Sequence, residues 1–431
     1  MTAIAQPTVT NTPSLTTDQT YALSEVLHYI ADPAPKSPFF VLSGFSGTGK
    51  TFLMQEVIRR SSLATRTRFA FTAPTNKAAK VLRSITGAAS TIFVLLGLRI
   101  EKNGELKELV GGDNPVNLDD YDVIFLDEAS MIGSKLFSRL ASVCEAHRVK
   151  VVFMGDPAQL PPVGEIESLV WREPLSASLT QVMRHDNQIL KLVTAIRGNM
   201  NSPAPCIDIK SDNSSDEGVW KVTKPAFKER IYSAAIDGAF ADSSLAKVIA
   251  WRNVRVAEYN DLIRKALFGA EAEPGTYLPG DRIIATAPCK RGEEHLLSTD
   301  DEAIVEGTLV STHPLHPKYK VYELKCRTET GRTIRLMVVH PVSVREYEAD
   351  CEALAHSARS NPREWKKFWN LKELFHDIKY GYAITAHRSQ GSTYETVFVD
   401  YQDILLNRNR KEAFQCLYVA CSRPTTRLIL A

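Results

Sequence analysis

Short unbroken apolar runs recur along the first part of the chain, each followed by a segment with helical spacing. Runs at 39–43, 68–72, 123–126 and 149–154 read as strands, and 50–60 and about 77–85 as helices. Continuous apolar strands are buried on both faces, as in a parallel sheet covered by helices. Gly97 to Leu118 breaks this pattern. Polar runs at 99–102 and 105–108 flank Asn103-Gly104, a strong signal for a hairpin with a two-residue turn. An inserted hairpin is therefore expected there. Residues 198–218 are rich in Ser, Asp, Asn and Pro and read as a loop.

A second α/β pattern starts with a strand at 248–251 and a helix at about 256–268. It resumes at Tyr382, with strands at 397–399 and 427–430. Between these parts, 282–285, 303–311, 320–327 and 333–339 are short strand-like runs separated by turns, which predicts a small β-barrel. Residues 346–379 read as helical. Trp365, Phe368, Trp369 and Phe375 recur near helical spacing, which favours a packed face over a base-stacking platform. The expected division is a disordered lead-in at 1–14, a first α/β domain at 15–197 carrying the insertion 97–118, and a linker loop at 198–218. The second α/β domain is expected at 219–280 and 380–431, with barrel and helical extension at 281–379.

Composition narrows the class. The 431 residues are 44% hydrophobic and 24% charged, which excludes global disorder and a fibrous protein. No apolar run is long enough for a membrane span, and Met1 to Ser14 lacks a basic start and an apolar core, so neither membrane nor signal peptide is expected. Seven cysteines, none in a C-x-x-C pair, indicate neither a disulfide framework nor a zinc site and suit a reducing, cytoplasmic setting. A net charge of +2 does not by itself imply nucleic acid; any basic groove must be local.

The chemistry sits at strand ends. Residues 44–51, GFSGTGKT, match G-x-x-x-x-G-K-S/T between a predicted strand and a predicted helix, the setting of a phosphate-binding P-loop. Gly44, Ser46, Gly47, Thr48 and Gly49 would turn backbone N–H groups toward phosphates. Lys50 would reach the β/γ-phosphates of ATP and Thr51 would hold Mg²⁺. Asp127-Glu128 ends the strand at 123–126, which places Asp127 for Mg²⁺ and Glu128 to polarise the attacking water. Gln159, in GDPAQLPPVG at 155–164, would sense a γ-phosphate without neutralising it. Arg184 and Arg423 are candidate arginine fingers, each worth ~10³–10⁵ in turnover, or about 4–7 kcal/mol of barrier. For either alone, a surface salt bridge is the commoner fate of an arginine.

In order, Gln19, GFSGTGKT, APTNKAAK (73–80), DEAS (127–130), GDPAQLPPVG, Arg184, TAHRSQG (385–391) and YVACSRP (418–424) resemble the motif series of superfamily 1B DNA helicases, the RecD-like group, and its compact phage members of the Dda type. The resemblance spans about 15 to 431. It implies two RecA-like P-loop NTPase domains, a β-hairpin pin inserted in the first, and an SH3-like barrel plus helical extension in the second. It implies ATP hydrolysis between the domains, coupled to 5′-to-3′ movement on single-stranded DNA and opening of the duplex fork. By resemblance, Gln19 reads adenine, and Gln390 and Gly391 link DNA to nucleotide. Pro74, Thr75, Asn76, Phe93, Thr385 and His387 lie on the single-strand track, and Asn103-Gly104 tips the pin. Phe93 stands where many relatives carry His, and Thr393 where many carry an acid. A monomer working with replication or repair proteins is expected. An ATP-switched DNA clamp that does not unwind, and an RNA helicase, are the alternatives.

Overall fold

The computed structural model describes residues 15–45, 47–65, 67–100, 106–108, 117–181, 188–202, 205–214, 216–292 and 294–431. The expectations for 1–14, Ser46, Asn103, Gly104 and Arg184 thus lie outside the described residues. The chain divides into two compact units. One comprises 1–74, 79–157 and 161–185; the other comprises 75–78, 158–160 and 186–431.

The first unit runs α1 (Thr17–Ala31), β1 (Phe39–Gly44), α2 (Lys50–Thr65), β2 (Phe69–Ala73), α3 (Asn76–Thr86), β3 (Ser90–Thr91), α4 (Ile92–Leu95), β4 (Leu98–Ile100), β5 (Leu106–Glu108), β6 (Val123–Leu126), α5 (Ser134–His147), β7 (Lys150–Gly155) and β8 (Ser176–Leu179). A six-stranded sheet has the order β3-β2-β6-β7-β1-β8, and every pairing in it is parallel. The apolar runs explain its two layers. Phe39, Val41, Ile124, Leu126, Val151 and Phe153 pack with α5 on one face. Phe40, Leu42, Val123, Phe125, Val152 and Met154 pack with α1 and α2 on the other. Adjacent residues thus serve opposite layers, each burial contributing roughly 1.5–3 kcal/mol. Parallel pairing aligns the C-terminal ends of β6, β7, β1 and β8 along one edge, where ligands of such sheets bind.

The second unit runs α6 (Gln188–Asn199), β9 (Asp212–Ser214), β10 (Glu217–Lys221), α7 (Lys224–Ile236), β11 (Ala246–Ala250), α8 (Asn253–Phe268), β12 (Arg282–Ala285), β13 (Cys289–Arg291), β14 (Glu294–Leu297), β15 (Glu302–Thr312), β16 (Lys320–Thr328), β17 (Thr333–Val339), α9 (Pro341–Ser360), α10 (Trp365–Lys372), β18 (Ile378–Tyr380), β19 (Ala383–Thr385), β20 (Tyr394–Val399), α11 (Tyr401–Ile404), α12 (Arg410–Cys421) and β21 (Pro424–Leu430). Its main sheet has the order β19-β11-β20-β21-β10-β9. It is parallel except at β9. Here α6 and α12 share a core on one face, and α7 and α8 share one on the other. A separate five-stranded antiparallel sheet, β17-β16-β15-β12-β18, interrupts it in sequence. A buried ion pair joins the two sheets: Lys247 Nζ of β11 donates to Glu302 Oε1 of β15 at 2.8 Å, and both side chains are sealed from solvent. Removing one partner of such a pair costs about 3–5 kcal/mol.

Four details depart from the sequence reading. Residues 186–197 were expected in the first domain. They group with the second unit, because Ile189, Val193 and Ile196 of α6 enter the core built around α12. The loop 198–218 contains β9. All of β9 is exposed, so no apolar alternation marked it. The expected barrel is a sheet whose end strands, β17 and β18, are not paired with each other among the described residues. In the hairpin, Leu98 pairs with Glu108, Arg99 with Lys107 and Ile100 with Leu106. This register centres on Asn103, whereas a plain two-residue turn at Asn103-Gly104 would pair Lys102 with Glu105 and shift every partner by one.

Candidate nucleotide and nucleic-acid site

β1 ends at Gly44, and α2 begins at Lys50. Between them Gly47 and Gly49 take φ of 85° and 83°, the left-handed region that favours glycine. Gly49 has a second reason to lack a side chain: a Cβ there would lie 2.7 Å from Gln19 Nε2. That amide donates to the Thr48 carbonyl at 2.9 Å, and Gln19 Oε1 accepts the Thr16 N–H at 3.1 Å. Gln19 is 1% exposed. Both ends of its amide therefore have protein partners, and reading a base would require exchanging them. Lys50 Nζ donates to the carbonyls of Gly44 at 2.7 Å and Phe45 at 3.0 Å. The ammonium is thus held inside the loop that carries it.

Asp127 and Glu128 follow β6 on the same sheet edge. The Asp127 N–H donates to the Thr72 carbonyl at 2.9 Å, and its Oδ1 accepts the Glu128 N–H at 2.8 Å. Burial pushes the Asp127 carboxyl above the usual carboxylate range, while the Glu128 N–H and the charge of Lys50 pull it back. A desolvated carboxylate facing an ammonium favours the arrival of a compensating cation. With the Thr51 hydroxyl on the first turn of α2, the donor set is hard oxygen and fits Mg²⁺. Glu128 has φ 53° and ψ 42°, a left-handed conformation in a residue with a Cβ. Such backbone costs of order 1–3 kcal/mol and clusters at functional sites.

In the second unit, Gln159 is 6% exposed. Its Oε1 accepts Gln390 Nε2 at 3.0 Å, and its carbonyl accepts Gln415 Nε2 at 3.0 Å. Gln390 was anticipated from sequence; Gln415, in the middle of α12, carried no motif signal. Gly391, with φ 73°, makes the turn after Gln390. Arg423 is 4% exposed and folds back on its own helix. Its Nε, Nη1 and Nη2 donate to Val419 O, Ser392 O and Ser422 Oγ at 2.9, 3.1 and 2.7 Å. A finger role would require leaving these acceptors.

The residues expected on the DNA track are spread over both units. Pro74 follows β2, Thr75 Oγ1 accepts the Ala78 N–H at 3.2 Å, and Asn76 opens α3. Phe93 on α4 is half-buried against the first-unit core. Thr385 ends β19, and its hydroxyl accepts the Arg388 N–H at 3.4 Å. His387 lies 3.7 Å from Glu412. Burial pushes the imidazole below its ordinary value, opposed by Glu412, so near neutral pH it offers a hydrogen bond rather than a charge. His387, Glu412 and Cys416 bring potential ligand atoms within 4.8 Å of one another. Burial pushes the Cys416 thiol up to about 12, which opposes the thiolate a metal needs.

The aromatic stripe at 365–375 divides. Phe375 is buried in a core cluster with Tyr319 and Leu371. Trp365, by contrast, is 36% exposed.

Residues 15–213 match an AAA domain family, and residues 380–431 match the UvrD-like helicase C-terminal domain. The ATP-dependent DNA helicase dda of Enterobacteria phage T4 is 25% identical, over 95% of this chain and 97% of its own. The ATP-dependent RecD2 DNA helicase of Deinococcus radiodurans is 33% identical over 42% of this chain and 24% of its own. The structure of a Pif1 helicase from Bacteroides with ADP-AlF3 and single-stranded DNA superposes with a TM-score of 0.51 at 17% identity, over 94% of this chain and 91% of that one. Among the described residues no helix is long and apolar enough to cross a membrane. With two parallel RecA-like sheets and the motif series in order along them, the chain belongs to the superfamily 1B helicases.

Proposed function

We propose that this chain is an ATP-dependent DNA helicase that moves 5′ to 3′ on single-stranded DNA and opens duplex ahead of it. The observation that carries this is the P-loop with Asp127-Glu128 on one edge of a parallel sheet, in a chain with a second such sheet. A relative matched along nearly its whole length is an ATP-dependent DNA helicase. Lys50 exchanges its loop carbonyls for the β/γ-phosphate oxygens. Thr51 and Asp127 would hold Mg²⁺, which when bound supplies positive charge against the phosphate oxygens. Glu128 takes a proton from the attacking water. Arg184 and Arg423 stabilise charge as the terminal phosphoryl departs. Gln159, tied to Gln390, passes the state of the γ-phosphate to the 385–391 segment, whose Thr385 and His387 meet DNA along with Pro74, Thr75, Asn76 and Phe93.

ATP turnover is expected to depend on single-stranded DNA. Binding should weaken with salt, with a log–log slope of about −0.7 per phosphate neutralised. Hydrolysis rates with and without an oligonucleotide, and affinities over a salt series, check this; turnover indifferent to DNA contradicts it.

The 97–118 hairpin is proposed as the pin at the fork. Each base-pair step opened costs ~1.4 kcal/mol of stacking, and one stacked side chain returns only about 1–3 kcal/mol. A pin can hold a fork open but needs the motor to advance it. Replacing residues 102–105 by a shorter glycine-containing turn should leave DNA-stimulated hydrolysis near the parent rate and cut unwinding of a 5′-tailed duplex strongly. Parental unwinding per ATP in that variant would remove the pin role.

A further inference from the structure

Asp18 stands beside Gln19 on the first turn of α1, outside every motif of the helicase series. One of its carboxylate oxygens, Oδ2, accepts two consecutive backbone N–H groups, Thr180 at 2.7 Å and Gln181 at 2.8 Å, with the Thr180 hydroxyl at 3.4 Å. The other, Oδ1, accepts the Gln19 N–H at 2.9 Å and the Thr16 hydroxyl. Thr180 and Gln181 are the residues that leave β8, the edge strand of the first sheet, at its C-terminal end. Burial would raise this carboxyl, but the N–H of Gln181, the Thr16 hydroxyl and the N–H groups of Thr180 and Gln19 outweigh it and hold it below its ordinary value.

The consequence is geometric. Two successive N–H groups aimed at one oxygen restrain the peptide planes of the segment that leads, within a few residues, to Arg184. On its other side the same carboxylate is bonded to the backbone of Gln19, whose amide rests on the P-loop carbonyl of Thr48. One exposed acid therefore joins the base-reading helix to the chain that carries a proposed finger. Charge-assisted bonds of this kind are roughly twice as strong as neutral ones. A docking staple for α1 alone needs no bond to 180–181, since the capping box of Thr16 and Gln19 already completes the helix start.

We propose that Asp18 is a positioning residue for hydrolysis: it sets the approach of Arg184 to the γ-phosphate and ties that approach to the seating of α1 at the nucleotide. The proposal rests on the reading of Arg184 as a finger. Asn at position 18 keeps the shape but replaces one acceptor oxygen by a donor, so at least one of these bonds is lost.

The test is a double-mutant cycle of Asp18→Asn and Arg184→Ala, read as kcat at saturating ATP and single-stranded DNA, with KM and ADP affinity measured beside it. Asp18→Asn should lower kcat at least five-fold with KM and ADP affinity within about two-fold of the parent. In the Arg184→Ala background the same change should have no further effect on kcat, the non-additivity of residues acting as a unit. An equal five-fold loss in both backgrounds, a parental kcat, or a loss of ADP affinity that accounts for the change each overturns the positioning role. Arg184→Ala with parental kcat overturns the finger itself, and that result is read without any variant at Asp18.

Discussion

Alanine at Lys50 is expected to leave a folded protein that no longer hydrolyses ATP. The ammonium donates to two carbonyls of the loop, Gly44 and Phe45, and its charge acts on Asp127. These carbonyls belong to a turn already set by glycines at φ near 85° and by the Thr48 hydroxyl, which donates to Phe45 O at 2.9 Å. The loop therefore keeps its course without the lysine. What disappears is the charge that meets the β/γ-phosphates. Removing one such preorganised donor costs about 10²–10³ in turnover, and loss of a full charge should exceed this. Steady-state hydrolysis with single-stranded DNA present, beside a thermal melt, checks both halves. Parental turnover would refute the P-loop assignment.

Glutamine at Glu128 should separate binding from chemistry. The amide keeps the size of the side chain, and the backbone bond from Glu128 N–H to Asp127 Oδ1 is untouched. It cannot accept a proton from water, so hydrolysis should fall by roughly 10²–10⁴ while ATP affinity holds. The variant should accumulate with ATP and DNA both bound. The left-handed φ of 53° sharpens the expectation. Strained backbone at a carboxylate that made only structural contacts would be costly to maintain, and Glu128→Gly would then stabilise the protein at little cost to turnover. Loss of ATP binding together with hydrolysis in Glu128→Gln would assign the carboxylate to structure or metal instead.

Much of this was legible in the sequence for a physical reason. Strands buried on both faces read as unbroken apolar runs, and β1, β6 and β7 were visible as such because neighbouring residues feed opposite cores. The chemistry followed from where those runs stop, at Gly44 and Asp127. The parts that escaped lack that signal. β9 is polar and exposed throughout. The side of the boundary on which α6 falls depends on which core accepts Ile189 and Val193, a tertiary fact. Gln415 and Asp18 act through backbone atoms far away in sequence, Gln159 O and the N–H groups of 180–181. No spacing rule encodes such partners. The hairpin was recognised by its Asn-Gly pair, but its register depends on the connection at 101–105 and not on that pair alone.

The most direct measurement is strand displacement from two duplexes of identical sequence, one with a 5′ single-stranded tail and one with a 3′ tail, at saturating ATP. Displacement from the 5′-tailed duplex, requiring ATP and lost in Lys50→Ala, is expected, with little or none from the 3′-tailed one. A protein that hydrolyses ATP in response to single-stranded DNA yet displaces neither strand would be a nucleotide-switched clamp, and displacement from the 3′ tail alone would reverse the direction proposed here.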